Sequence, residues 1–243
     1  MNNWQIKHVP EVGSTMELAR DLIAELDQVQ PVQVSADQQT AGRGRRGSVW
    51  SQADQGLYVT YGLPIEGNCS DLSAFTLVAG LAVAHVLVDL GYELRLKWPN
   101  DLYTVEGAKF GGILCEVIHQ KKSWLLVGIG VNIQTPCDVE RKVSSLCELP
   151  GSELSNRDID AKELKRAIGH RLLENFNLYI EQGFLPFQKL WESIMYRPKE
   201  MVTVKVTEDR ELRGLVQGVS DLGELLLNDG VTLHKISTGE VCC

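Results

Sequence analysis

The chain has no run of 18 or more apolar residues, so no membrane-spanning helix is expected. Its first residues, Met1-Asn2-Asn3-Trp4, lack the charged and apolar segments of a secretory leader, and none is expected. There is no Cys-x-x-Cys, no His-Glu-x-x-His and no Gly-x-Ser-x-Gly, which removes the common zinc spacings, the thioredoxin-like motif and the serine-hydrolase elbow. The six cysteines, at 69, 115, 137, 147, 242 and 243, are scattered, and a chain this long needs no disulfides. They are expected to be free thiols in a reducing cytoplasm. No further lipidation signal accompanies the Cys242-Cys243 pair. Positive charge is the minority: 24 Lys and Arg against 32 Asp and Glu give a net charge of -8. A chain of that balance is a poor general nucleic-acid binder, so any cluster of arginines serves a local purpose.

One such cluster exists. Gln39-Thr40-Ala41-Gly42-Arg43-Gly44-Arg45-Arg46-Gly47-Ser48-Val49-Trp50 packs three glycines and three arginines into six residues, with a Trp just beyond. Glycine lets backbone approach a ligand closely, and arginine offers planar forks to carboxylate and phosphate oxygens. Gly42, Gly44 and Gly47 also fit Gly-x-Gly-x-x-Gly, but a dinucleotide site needs a helix to follow. Ser48 to Gly56 reads as turn, so a Rossmann site is not expected. The loop is expected to close over a small anionic ligand and a nucleotide, and to be mobile when empty.

Around it, residues 4–12 read as a strand. Ser14-Thr15-Met16-Glu17 reads as a capping box opening a helix to about Asp27, and helix starts also attract anions. Strands are expected at 32–37, 56–63, 93–98, 113–118 and 124–133, with a core helix at 71–90. Pro99-Asn100-Asp101 places two polar side chains in a turn, where function and simple turn formation are equally good readings. Gly128 and Gly130 weaken a strand unless something packs closely there. Residues 134–159 read as irregular. Helices follow at 160–182, with Leu164, Ile168, Leu172, Phe176 and Ile180 on one face, and at 184–195. After Arg197-Pro198-Lys199 come short strands at 201–206, 210–218, 224–227 and 231–235. The expected class is α+β: a mixed β-sheet catalytic domain flanked by helices (1–198) and a small C-terminal β-barrel (199–243).

Taken together, four motifs resemble those of the biotin protein ligases: Gly42 to Gly47 with Trp50, Lys97-Trp98-Pro99-Asn100-Asp101, Lys109-Phe110-Gly111-Gly112-Ile113-Leu114, and Gly128-Ile129-Gly130-Val131-Asn132. They stand in that family's order, and the resemblance runs from about Trp4 to the C-terminus. It implies an SH3-like C-terminal barrel. It also implies ATP-dependent activation of biotin to biotinyl-5′-AMP with Mg²⁺, then transfer to a lysine of a biotin carboxyl carrier domain. By the same resemblance Arg43, Lys109 and Asp101 are the catalytic candidates. Ser14, Thr15, Met16, Gln39, Gly42, Arg43, Gly44, Arg45, Lys109 and Gly112 are placed at biotin, and Arg45, Arg46, Trp50, Asn100 and Asn132 at the nucleotide. No residue is assigned to a protein-held metal. Met16 departs from the frequent Asn, and Ser48 from the frequent Arg. With only about 13 residues before the Ser14 helix, no DNA-binding domain and no DNA partner are expected. A membrane partner is not expected either, and a homodimer stays open. Two other readings stay open, a lipoate ligase and a non-catalytic binding protein.

Overall fold

The computed structural model describes residues 4–48, 50, 55–66, 71–136, 142–149 and 160–242. Parts of the turn expected at 48–56 and of the irregular stretch at 134–159 lie outside the described residues, as do Cys69, Cys137 and Cys243.

The first sheet has seven strands in the order β1-β2-β3-β7-β6-β5-β4. These are Gln5–Val12, Val32–Gln39, Gly56–Pro64, Arg95–Lys97, Asp101–Tyr103, Lys109–His119 and Ser123–Asn132, numbered β1 to β7 along the chain. Parallel neighbours need a crossover. Among the described residues the only parallel strand pair is β1 with β2, and the helix between them, α1 (Thr15–Glu25), supplies the crossover. The remaining pairs are antiparallel, so the sheet is mixed.

Strand alternation sorts side chains onto two faces. On one face Val32, Val34, Trp124 and Leu126 meet Met16, Ala19 and Ile23 of α1. On the other, Leu57, Val59, Leu125, Val127 and Ile129 join the main core beneath α2 (Phe75–Asp89), α3 (Ala161–Gln182) and α4 (Leu185–Ser193). Helix α2 is buried around most of its circumference, from Phe75 to Leu87, which is why its sequence shows no polar stripe. On α3 the inward face ends on Tyr179, not Ile180, which is 39% exposed.

The second sheet is antiparallel with order β11-β10-β9-β8-β12: Met201–Thr207 (β8), Arg210–Val219 (β9), Leu225–Asn228 (β10), Leu233–Ile236 (β11) and Glu240–Cys242 (β12). Val202, Val204, Val216, Leu225, Leu227 and Val241 belong to the main core, so the two sheets share one interior. The fold is α+β. Two short strands, β5 and β12, carry no readable pattern in the sequence. Both are three residues long and exist because a neighbour strand receives them, β6 for β5 and β8 for β12. No helix among the described residues is long and apolar enough to cross a membrane. Cys115, Cys147 and Cys242 are free thiols.

The β10–β11 turn is fastened by Asp229. Its carboxylate accepts from His234 Nε2 (2.7 Å) and from the Thr232 (2.7 Å) and Val231 (2.8 Å) amides. The His234 contact first, then those amides, hold its pKa down to about 2. The contribution to stability is present above the unfolded carboxyl pKa, about 4, and is lost as pH falls towards the folded value. A carboxyl NMR titration is expected to give Asp229 a midpoint near 2, and a midpoint near 4 would show the turn unfastened.

Candidate functional site

The cavity of about 700 Å³ begins where side chains on the α1 face of the sheet shrink to hydrogen. Gly128 pairs with Leu114, and Gly130 with Gly112. A Cβ at Gly128 would stand 2.8 Å from Met16 Sδ, and one at Gly130 would stand 2.9 Å from the Trp50 indole. A Cβ at Gly112 would meet the same indole at 2.9 Å. The close packing expected at Gly128 and Gly130 is therefore present, with Met16 and Trp50 as the packing groups.

One end of the cavity is polar and neutral. Ser14 and Thr15 are 5% and 3% exposed. The Thr15 amide and hydroxyl both donate to Gln39 Oε1 (2.8 and 3.0 Å), and Thr60 Oγ1 donates to Thr15 Oγ1 (2.9 Å). Ser14 stands at the N-cap position, but its side chain makes no cap bond, so the capping box expected from sequence does not form. Glu17, the other partner of the expected box, forms an ion pair with Arg43 that links α1 to the arginine loop.

The other end is cationic. Lys109, first residue of β6, forms an ion pair with Asp101, first residue of β5, and both side chains are largely buried. Asp101 faces Gly112 across the β5–β6 ladder. Asn100 is held by two bonds to Ile113, Nδ2 to its carbonyl and its own carbonyl to the Ile113 amide, each 2.9 Å. Lys97 is 8% exposed and its Nζ lies 3.1 Å from the Tyr103 hydroxyl.

The arginine loop closes on itself through Gly44 N to Ser48 O (2.7 Å) and Trp50 N to Gly42 O (3.0 Å). Arg46 takes a left-handed conformation, φ 54°, and Gly47 follows at φ 76°. That double turn aims two guanidinium groups at the second sheet. Arg45 donates to Asn100 Oδ1 (3.3 Å) and Gly239 O (3.4 Å), and Arg46 to Val206 O (3.1 Å) and Thr238 Oγ1 (3.4 Å). Burial, then the Arg46 charge, lower the Arg45 pKa, while Asp101 and Glu240 pull it up.

Of the residues singled out from sequence, Ser14, Thr15, Met16, Gln39, Arg43, Gly44, Arg45, Arg46, Trp50, Asn100, Asp101, Lys109 and Gly112 line this one cavity. Gly42 and Asn132 stand behind the lining. Gly42 anchors Trp50, and Asn132 Nδ2 donates to Ser144 O (3.0 Å). Two buried polar atoms here have no hydrogen-bond partner: Trp50 Nε1 and Asn132 Oδ1. Sequence reasoning missed Lys97, Tyr103, Lys142 and the β12 residues Glu240 to Cys242, all of which line the cavity. Lys97 could have been found, since it opens a motif already singled out. Lys142 and β12 carried no signal.

A glycine-floored cavity with a neutral polar end and a cationic end suits an elongated ligand whose anionic end meets a second anion. Comparison with known proteins agrees. The Biotin/lipoate A/B protein ligase family profile matches residues 9–133, and the Biotin protein ligase C terminal domain profile matches residues 200–242. The bifunctional ligase/repressor BirA of Escherichia coli is 30% identical over 240 residues, 96% of this chain and 72% of that one. A biotin--[acetyl-CoA-carboxylase] ligase of Mycobacterium tuberculosis is 28% identical, covering 98% of this chain and 88% of that one. A biotin protein ligase from Aquifex aeolicus, solved in complex with biotin and ATP, superposes with a TM-score of 0.81 at 30% identity, over 98% of this chain and 97% of that one. The chain belongs to the biotin/lipoate A/B protein ligase family, in its biotin protein ligase branch.

The Glu17–Arg43 pair is half exposed on both sides. Such pairs contribute roughly 0.2–1 kcal/mol. Glu17→Gln is therefore expected to speed amide exchange at Arg43 to Ser48 by about 1.5- to 5-fold. Unchanged exchange would show that the pair does not hold the loop.

Proposed function

We propose that this protein activates biotin with ATP to biotinyl-5′-AMP and transfers the biotinyl group to a lysine of a biotin carboxyl carrier domain. The observation that carries the reading is the arrangement of one cavity: Ser14, Thr15 and Gln39 at its neutral end, a glycine floor, and Lys109 with the arginine loop at its cationic end. Residues 1–198 form the catalytic part in this reading, and 199–243 the C-terminal part that receives Arg45 and Arg46.

Biotin's fused ring is neutral and rich in hydrogen-bonding groups, which suits the Ser14–Thr15–Gln39 end. Its valeryl chain lies along Gly112, Gly128 and Gly130, with Met16 and Trp50 as apolar walls. The carboxylate then reaches Lys109. In the first step a carboxylate oxygen attacks the α-phosphorus, the bond to the β-phosphate oxygen breaks, and pyrophosphate leaves. Negative charge grows on the phosphoryl oxygens, and Lys109 and Arg43 are placed to offset it. Arg45 and Arg46 shield the adenylate from water, Trp50 covers the adenine, and Asn100 and Asn132 position the nucleotide. Magnesium arrives with the triphosphate and belongs to the substrate. Among the described residues no group of three or more His, Cys, Asp or Glu offers it a separate site.

In the second step the lysine ε-nitrogen attacks the acyl carbon and the carbon–oxygen bond to AMP breaks. The amine must first be neutral. Asp101 serves both steps: it orients Lys109 in the empty site, and it takes the amine's proton once Lys109 has turned to the phosphate. A lipoate ligase is the second reading, and the two differ in the substrate's head group.

The test is the intact mass of an apo carrier domain after incubation with the protein, MgATP, and biotin or lipoate in parallel. An ATP-dependent gain of one biotin is expected, while a lipoyl gain would move the assignment to the sister activity. Lys109→Ala is expected to lower biotin-dependent ATP–pyrophosphate exchange by roughly 10²–10³, the effect of removing one preorganised donor. An unchanged rate would remove Lys109 from the chemistry.

A further inference from the structure

The cavity has an order along the sheet. Met16 sits over Gly128, Trp50 over Gly130, and the strand ends two residues later at Asn132. Beyond that end, residues 142–144 take over the edge that β7 leaves. Val143 forms a parallel bridge to Lys109, with Lys109 N donating to Lys142 O (3.2 Å) and Ser144 N to Lys109 O (2.9 Å). Asn132 clamps the same segment through Ser144 O. Lys142 is thus fixed by backbone beside Lys109, on the side away from Thr15 and Gln39, and its side chain lines the cavity.

The cations of the rim are not equivalent. Arg43 meets the Glu17 carboxylate, and Lys109 meets Asp101. Lys142 Nζ is held by a neutral acceptor, the Glu106 carbonyl (2.8 Å), so its charge is anchored without being offset by that contact. In an in-line displacement the leaving group departs opposite the nucleophile. If the carboxylate comes from the Thr15–Gln39 end and the α-phosphorus sits at Lys109, the β- and γ-phosphates extend past Lys109.

We propose that Lys142 is a binding residue for the β,γ-diphosphate part of ATP, and hence for the pyrophosphate that leaves. The inference rests on the biotin-activating reading for the direction of the reaction, but its claim concerns nucleotide phosphate. A residue at that place touches ATP and pyrophosphate and never touches the acyl-adenylate once pyrophosphate has gone.

Lys142→Gln keeps an N–H donor, one bond shorter, and removes the charge; Lys142→Arg keeps the charge. Calorimetric titration with MgATP is expected to give Lys142→Gln a Kd raised about 10-fold, as for the loss of one charge-assisted contact, with Lys142→Arg close to the parent. Transfer to the carrier domain from added biotinyl-5′-AMP is expected to be unchanged in both variants. An unchanged ATP Kd in Lys142→Gln overturns the proposal, and so does a loss of transfer from added adenylate equal to the loss with ATP. The titration needs no turnover. A parent protein that binds ATP but makes no adenylate would therefore sink the biotin reading alone, and leave the Lys142 comparison to stand or fall by its own numbers.

Discussion

The site depends on an absence of side-chain atoms. Helix α1 covers one face of the seven-stranded sheet with Met16, Ala19 and Ile23, and a face so covered is closed to ligands. It opens only because three neighbouring positions on β6 and β7 are glycine. A single methyl at Gly130 would collide with the Trp50 indole, and Trp50 is the group that walls the cavity. Interiors pack too densely to absorb such an atom without movement. Everything charged in the site is then arranged around space that the glycines provide.

The arginine loop is the second element, and it belongs to neither sheet alone. Its Arg43 is tied back to α1, while Arg45 and Arg46 are tied forward to backbone and hydroxyl groups around β8 and β12. Neutral acceptors suit this purpose. They fix direction while leaving the guanidinium charge for a ligand, whereas a carboxylate partner would compete with it. The Glu17–Arg43 contact is the exception, and it is half exposed on both sides.

How far the sequence could be read follows from how each feature is encoded. The long strands and helices α1 and α3 announce themselves by period, because each has enough residues for a pattern to repeat, and α2 by a long, nearly continuous apolar run. Strands β5 and β12 have three residues apiece, too few for any pattern, and are defined by their partners. Nine of the thirteen expected residues that line the cavity were legible because they sit in three compact motifs whose chemistry is local, and Ser14, Thr15, Met16 and Gln39 stand at the start of α1 and the entry to the arginine loop. Lys142 was not, since it reaches the site because its neighbour Val143 bridges to Lys109 across 33 intervening positions. The capping box shows the same limit: Ser14 and Glu17 have the right local spacing, but the structure pairs Glu17 with the distant Arg43 and leaves Ser14 without a cap bond.

The position of β12 has a consequence in time. The cavity wall contains Ser14 near one end of the sequence and Cys242 near the other. Contacts of such separation form late, since the intervening chain must close first. During synthesis the sheet and its helices are available long before Gly239 and Glu240 emerge, so a nascent chain has the floor of the site without its lid anchors. A reactive acyl phosphate made at that stage would be open to water. The order in which the chain leaves the ribosome therefore withholds the shielded site until residues 239–242 have emerged.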